Sequence, residues 1–78
     1  MRREKTVVEK FATLRSGRKK KTVKAWQYYS VFEFLRWQGE TAEEADRIAK
    51  WCRDKASDGE TLEKDGYSIT VKEKEIPA

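Results

Sequence analysis

The segment that most constrains the fold is Thr41 to Ala56, TAEEADRIAKWCRDKA, because it carries both a helix start signal and an apolar stripe. Thr41 and Glu44 match a capping box, in which the threonine oxygen accepts from a first-turn backbone N–H and the glutamate bonds back to the threonine N–H. Apolar residues follow at three- and four-residue spacing: Ala45, Ile48, Ala49, Cys52 and Ala56, with Trp51 beside them. The pattern predicts a helix over residues 41–56, with Ile48 and Trp51 as its large core residues.

A second helix is predicted immediately before this one, over residues 30–38. Ser30 and Glu33 form another capping box, and Gly39 is placed as a helix stop. Its apolar residues cover more than half of the helix circumference: Val31, Phe34 and Leu35 as the core stripe, with Phe32 and Trp37 on its flanks. Such a wide apolar arc is typical of a helix buried on several sides or of one that binds a partner. For the second interpretation, the candidate interface is Tyr29, Phe32 and Trp37.

The C-terminal stretch GETLEKDGYSITVKEKE holds the clearest hairpin signal in the chain. Asp65 and Gly66 fit a two-residue type I′ turn, in which both positions need a positive φ. That turn sets the register by placing Lys64 opposite Tyr67. It predicts a hairpin over residues 60–73 with one core face, made of Leu62, Tyr67, Ile69 and Val71.

The N-terminal residues 6–17, TVVEKFATLRSG, fit two structures. A Thr6/Glu9 capping box and apolar residues at helical spacing favour a helix, which we expect. The β-branched Val7 and Val8 favour the alternative, a strand that turns at residues 16–17 into a hairpin. Residues 22–28 are predicted to form a short strand that joins the C-terminal hairpin, because a two-stranded hairpin alone is marginal in water.

These elements predict a single small α+β domain over residues 1–78, with residues 1–5 and 74–78 frayed. The order helix, strand, helix, tight turn, helix, hairpin resembles that of a winged helix-turn-helix domain. The resemblance implies DNA binding through the second helix of the pair. That helix begins with Glu43, Glu44 and Asp46, which would face phosphates, so we look for nucleic-acid contacts elsewhere in the chain.

The positive charge of the chain is concentrated in its first half. The net charge is +4, but residues 1–37 carry eleven Lys/Arg against three Asp/Glu, and residues 38–78 carry seven against eleven. We expect residues 15–21 to form a flexible loop, because like charges at this density repel one another. The candidate nucleic-acid contacts are the cations and rings of this region: Arg15, Arg18, Lys19, Lys20, Lys21, Lys24, Trp26 and Tyr28. A solvated connector is the alternative interpretation.

Several classes of function lack their usual residues. The chain has no histidine and one cysteine, Cys52, so the usual zinc ligands and the commonest general base near neutral pH are missing. No nucleophile elbow or phosphate-binding glycine loop is visible. We therefore expect no enzyme, no metal and no cofactor. A lone cysteine and the lack of a long apolar run indicate a cytoplasmic protein without a membrane partner.

The sequence thus predicts a small non-enzymatic module that binds nucleic acid weakly and without sequence preference, through its basic loop. The alternative is a small protein-binding regulator or inhibitor, of the kind encoded by phages and mobile elements, that acts on a nucleic-acid-handling protein. Its aromatic or acidic residues would then bind the partner. Besides nucleic acid, the candidate partners are an acidic protein surface and a second copy of the chain, which would form a homodimer.

Overall fold

The computed structural model describes residues 6–64 and 66–77, and it confirms the small α+β architecture. Along the chain the elements are β1 (Thr6–Ser16), β2 (Lys19–Lys24), α1 (Tyr28–Trp37), α2 (Ala42–Lys50), a π-helical turn (Trp51–Lys55), β3 (Thr61–Lys64) and β4 (Tyr67–Pro77). The two helices therefore lie between two hairpins in the sequence.

The four strands form one antiparallel sheet in the order β2-β1-β4-β3. β1 and β4 are central and pair along their whole lengths, from Thr6 opposite Pro77 to Ser16 opposite Tyr67. β2 pairs with β1 only from Phe11 onward, so the beginning of β1 and the end of β4 extend the sheet as a two-stranded ribbon.

The core lies between one face of the sheet and the two helices. Successive residues of a strand point to opposite faces, so Ala12 and Leu14 of β1 share the inner face with Ile69 and Val71 of β4. The helices and the π-helical turn after them contribute buried residues to the same cluster: Val31, Leu35, Ala45, Ile48, Ala49 and Cys52. Among the described residues, no element covers the opposite face, where Thr13 and Thr70 of the central strands are half-buried.

The predicted start of α2 is confirmed. The Thr41 side chain accepts a hydrogen bond from the Glu44 N–H at 3.2 Å, as expected for an N-cap. The Glu44 carboxylate instead bonds to Arg47 and Lys64, so the reciprocal half of the capping box does not form. The predicted stripe is buried, whereas Trp51 is only half-buried where it packs against the core.

The C-terminal hairpin also forms as predicted. Lys64 lies opposite Tyr67 in the expected register, and Gly66 has a φ of +92°. The expected conformation of Asp65 lies outside the described residues. The expected fraying of residues 74–78 is wrong for 74–77, because β4 continues to Pro77 in register with the beginning of β1. The expected fraying of residues 1–5 and of residue 78 lies outside the described residues.

The N-terminal segment is a strand, so the helix that we expected for residues 6–15 is wrong. Ala12 and Leu14 point to the core while Phe11 and Thr13 point outward, which is the period of two of a strand. Pairing with β4 along all eleven residues outweighs the weak local helix signal. Because the described part of the chain begins and ends with a strand, its element order departs from that of a winged helix-turn-helix domain.

The basic segment is a hairpin rather than the flexible loop that we expected for residues 15–21. The chain turns at Gly17, which has a φ of +59°, and continues as the edge strand β2. Backbone pairing with β1 aligns the lysines at strand spacing. The paired backbone thus overcomes the mutual repulsion of the cations.

The start of α1 and the strand expected over residues 22–28 also differ from the sequence expectation. β2 ends at Lys24, whose N–H donates to the Gln27 side chain at 3.3 Å across a turn. Helix α1 then begins at Tyr28, two residues before Ser30, and its N-cap Gln27 makes no side-chain capping bond. The strand that joins the C-terminal hairpin is therefore β1, and Ser30 lies inside the helix.

Candidate nucleic-acid interface

The β1–β2 hairpin displays its cations on both faces of the sheet. Side chains alternate along an edge strand, so Lys19 and Lys21 lie on the same face as the buried Val23, toward the helices. Lys20 lies on the opposite, open face of the sheet, next to Arg15 of β1. One strand thus presents lysines to two surfaces.

Most of these cations are not neutralised. Arg15, Arg18, Lys19, Lys20 and Lys21 are exposed, and none forms a salt bridge with a carboxylate of residues 6–64 or 66–77. Lys24, by contrast, lies 3.9 Å from Glu9, and the cations near α2 are mostly paired. The hairpin is therefore a local source of positive potential.

A groove of about 750 Å³ separates β2 from α1. Its lining comes from the two hairpin strands and the outer side of the helix: Leu14, Ser16, Lys19, Lys20, Lys21, Ser30, Glu33, Phe34, Trp37 and Gln38. The Ser16 hydroxyl donates to the Gln38 side-chain oxygen at 3.1 Å and joins the sheet to the end of α1. The lysines line one side of the groove and the helix residues line the other.

Trp37 is the last residue of α1 and the most exposed large apolar side chain described. Its exposed fraction is 88%, and after the C-cap Gln38 the chain turns away at Gly39, which has a φ of +94°. Tyr29, two turns earlier on the same helix, is 76% exposed but does not line the groove. Large exposed rings are common at binding surfaces, because contact with a partner removes their apolar area from water.

The open face of the sheet is a second basic surface. The strand registers align a row of hydroxyls across it, Thr22, Thr13, Thr70 and Thr61, in which the outer pairs lie 3.4 and 3.1 Å apart. Beside this row Phe11 lies between Lys24 and Lys72, and the Lys74 Nζ is 5.8 Å from the ring centroid. This face also holds the acids Glu9 and Glu63.

Four of the five predicted aromatic residues do not line the groove: Trp26, Tyr28, Tyr29 and Phe32. Trp26 is 59% exposed in the turn after β2, where the Lys24 Nζ lies 5.6 Å from its ring centroid. The Tyr28 hydroxyl donates to the Asp46 carboxylate, and this bond raises the pKa of Tyr28. Its ring stacks on Phe32 with centroids 5.6 Å apart. Tyr28 and Phe32 are therefore used to pack α1 against the rest of the fold.

The acidic surface at the start of α2 is partly neutralised. The Lys64 Nζ lies 3.0 Å from a Glu40 oxygen and 3.4 Å from a Glu44 oxygen. A hydrogen bond from Arg47, supported by Lys64, lowers the pKa of Glu44 to about 2. These carboxylates are held by neighbouring cations, whereas the cations of the hairpin have no such partners among the described residues.

Sequence reasoning missed part of both surfaces. It did not assign Ser30, Glu33 and Gln38 to a site, although each lies within two turns of Trp37 on the predicted helix. Helical spacing from Trp37 would have found Ser30 and Glu33, seven and four residues earlier, but not the adjacent Gln38. It also did not assign Lys72 and Lys74 to a site, because their place beside Phe11 follows from the pairing of β4 with β1. No local signal encodes that pairing.

Comparison of the chain with protein-family models, with curated proteins and with solved structures gave no match. The structural class therefore rests on the fold alone, which is a four-stranded antiparallel sheet with two helices on one face. Within the described residues, no helix is long and apolar enough to cross a membrane. The same residues contain no group of three or more His, Cys, Asp or Glu side chains placed to hold a metal ion.

Proposed function

We propose that this protein is a small nucleic-acid-binding module that contacts phosphates through the β1–β2 hairpin. The observation that carries the proposal is the set of exposed cations on this hairpin that lack salt-bridge partners among the described residues. Lysine and arginine contacts to phosphates supply the sequence-independent part of nucleic-acid affinity. The expected binding is accordingly weak, with little sequence preference.

The hairpin suits this role better than helix α2. The apolar stripe of α2 is buried against the sheet, and Glu43, Glu44 and Asp46 occupy its first turns. Carboxylates at this end would repel phosphates from any groove that the helix entered. Edge strand β2, in contrast, has one free side along which a phosphate backbone can run.

The proposal is tested by DNA binding at two salt concentrations. If about four phosphates are neutralised on duplex DNA, affinity falls by ~100-fold between about 50 and 200 mM salt. Changing Lys19, Lys20 and Lys21 together to threonine should weaken binding and lower the slope of log K against log salt by up to ~2.7. Threonine is chosen because it keeps the β-propensity of the strand.

A matched control removes the same charge elsewhere. The control changes three cations near the end of the helical region together to glutamine: Lys50, Arg53 and Lys55. The chain just after them accepts a hydrogen bond from the Glu73 N–H of β4, and this part of the sheet is far from the β1–β2 turn. This variant should bind nearly as the parent does. Absence of binding at low salt, or equal losses in both triple variants, would contradict the proposal.

A protein-binding regulator is the second candidate, and the exposure of Tyr29 and Trp37 on one helix favours it. Aromatic residues exposed in this way are common at the centres of protein interfaces. The partner would be a nucleic-acid-handling protein or a second copy of the chain. This function becomes the preferred one if DNA binding is absent at low salt. Sedimentation of the parent and of Tyr29→Ala then tests self-association.

A further inference from the structure

We infer that the groove between β2 and α1 holds single-stranded nucleic acid, with the phosphates along β2 and the bases toward α1. This inference rests on the proposed function and specifies the form of nucleic acid and the surface that binds it. It is carried by the different chemistry of the two sides of one groove.

The sides of the groove differ in charge. Lys19 and Lys21 line the strand side from the inner face of the sheet, and neither has a salt-bridge partner among the described residues. The helix side contributes Ser30, Glu33, Phe34, Trp37 and Gln38 to the lining, and these include no cation. Since the Glu33 carboxylate repels phosphate, the sugar–phosphate backbone is favoured on the strand side. The bases are then directed toward the helix.

The helix side offers a surface on which a base can stack. Trp37 is 88% exposed at the rim of the groove, and the half-buried Phe34 adds apolar lining. Single strands expose the faces of their bases to aromatic side chains, whereas a duplex hides these faces in its own stack. The groove volume of about 750 Å³ suits small organic groups such as nucleotides.

The open sheet face fits a single strand less well. Its ring, Phe11, already has the Lys74 Nζ 5.8 Å from its centroid, and Lys24 lies 3.9 Å from Glu9. The ring and one cation of the open face are therefore already in contact with charged side chains of the protein itself. The groove combines a nearly fully exposed indole with cations that lack partners among the described residues.

The first test compares two exposed rings on α1. The probes are a labelled oligothymidylate of about ten nucleotides and a duplex of the same length, at low salt. The single strand should bind more tightly than the duplex. Trp37→Ala should weaken oligothymidylate binding by at least about fivefold, the lower limit for the loss of one base–aromatic stack. Tyr29→Ala, which removes a ring outside the groove, should leave binding nearly unchanged.

The second test compares two pairs of cations. Changing Lys19 and Lys21 together to threonine removes two charges that face the groove. Changing Arg15 and Lys72 together to threonine removes two charges from the open face of the same sheet. The groove pair should weaken oligothymidylate binding more than the open-face pair. Quenching of tryptophan fluorescence by the oligonucleotide should persist in Trp26→Ala and decrease in Trp37→Ala.

Thermal unfolding of each variant establishes that it is folded, and all substituted side chains are exposed. The groove assignment would be overturned by equal effects of Trp37→Ala and Tyr29→Ala, by a larger effect of the open-face pair, or by tighter binding of the duplex. Each of these results would leave phosphate binding by the hairpin intact. Failure of both probes to bind at low salt would overturn the proposed function as well.

Discussion

At the residue scale, Tyr67 combines good packing with an unsatisfied polar atom. Its side chain is 6% exposed, and its ring meets Phe34 edge to face with centroids 5.7 Å apart. Its hydroxyl has no hydrogen-bond partner among the described residues, and burial raises its pKa. A buried hydroxyl without a partner has lost its hydrogen bonds to water without replacement.

Tyr67→Phe should therefore stabilise the protein. The substitution keeps the ring in place and removes the unsatisfied hydroxyl, so the free energy of unfolding should rise by up to ~1 to 3 kcal/mol. Urea unfolding measures the change. Tyr28→Phe is the matched control: it removes a hydroxyl that does bond, to Asp46, and should destabilise the fold. A loss of stability in Tyr67→Phe would show that its hydroxyl has a partner.

At the element scale, α2 and the turn after it form the centre of the core. Ala45, Ala49 and Cys52 are fully buried small residues that allow α1 and the sheet to approach closely. Burial raises the pKa of the Cys52 thiol to about 12, so the thiolate needed for nucleophilic chemistry is disfavoured. Ile48, also fully buried, is the largest side chain of this stripe.

Ile48→Ala should remove most of the stability of the domain. Emptying a packed aliphatic site costs ~2 to 5 kcal/mol, whereas the smaller change Ile48→Val costs ~0.5 to 1.5 kcal/mol. The two variants should therefore form a graded series in thermal or urea unfolding. If Ile48→Ala left the unfolding midpoint unchanged, the stripe on α2 could not be the core face.

At the scale of the whole molecule, folding separates the charges to opposite edges of the sheet. The basic strand β2 is one edge and β3 is the other, and the acidic start of α2 lies near β3. Lys64 of β3 joins Glu40 and Glu44, residues that are distant in sequence. These ion pairs connect the C-terminal hairpin to the helical layer.

The ion pairs of Glu44 predict a pH dependence of stability. Its pKa falls from the ordinary value of 4.5 to about 2 in the folded protein, chiefly through the bond from Arg47. A lowered pKa stabilises the fold above about pH 4.5, and that stabilisation is lost as the pH falls toward 2. Glu44→Gln should therefore lower the thermal midpoint near pH 7, and the difference from the parent should shrink at acidic pH.

Glu43→Gln is the control for this experiment, because Glu43 makes no salt bridge with a described residue. It removes the same charge from the same turn of α2. A difference for Glu44→Gln that stays constant from neutral to acidic pH, or that is matched by Glu43→Gln, would contradict the assigned ion pairs.

Local signals were sufficient for α2 and for the turn and register of the C-terminal hairpin, but not for the start of α1 or the length of β4. The Thr41 cap, the buried stripe of α2 and the register that follows from the turn at Gly66 depend on residues that are close in sequence. Such features form with few alternatives, because the spacing of apolar residues and the geometry of the turn select one face and one register. The cations of the hairpin were likewise visible as a cluster.

The tertiary structure decided what these local signals left open. Residues 6–16 are a strand because β4, some sixty residues away in sequence, pairs with their whole length. Backbone pairing of β2 with β1 made a hairpin of the expected basic loop, and the packing of α1 placed Trp37 across from Lys19 and Lys21. Contacts between residues far apart in sequence compete with local propensity and outweigh it where they bury apolar surface and satisfy backbone hydrogen bonds. The sequence alone therefore identified the lysines of β2 and Trp37 as candidate binding residues. Only the tertiary structure placed them on two sides of one groove, because that placement depends on the packing of α1 and the sheet around a common core and not on local propensity.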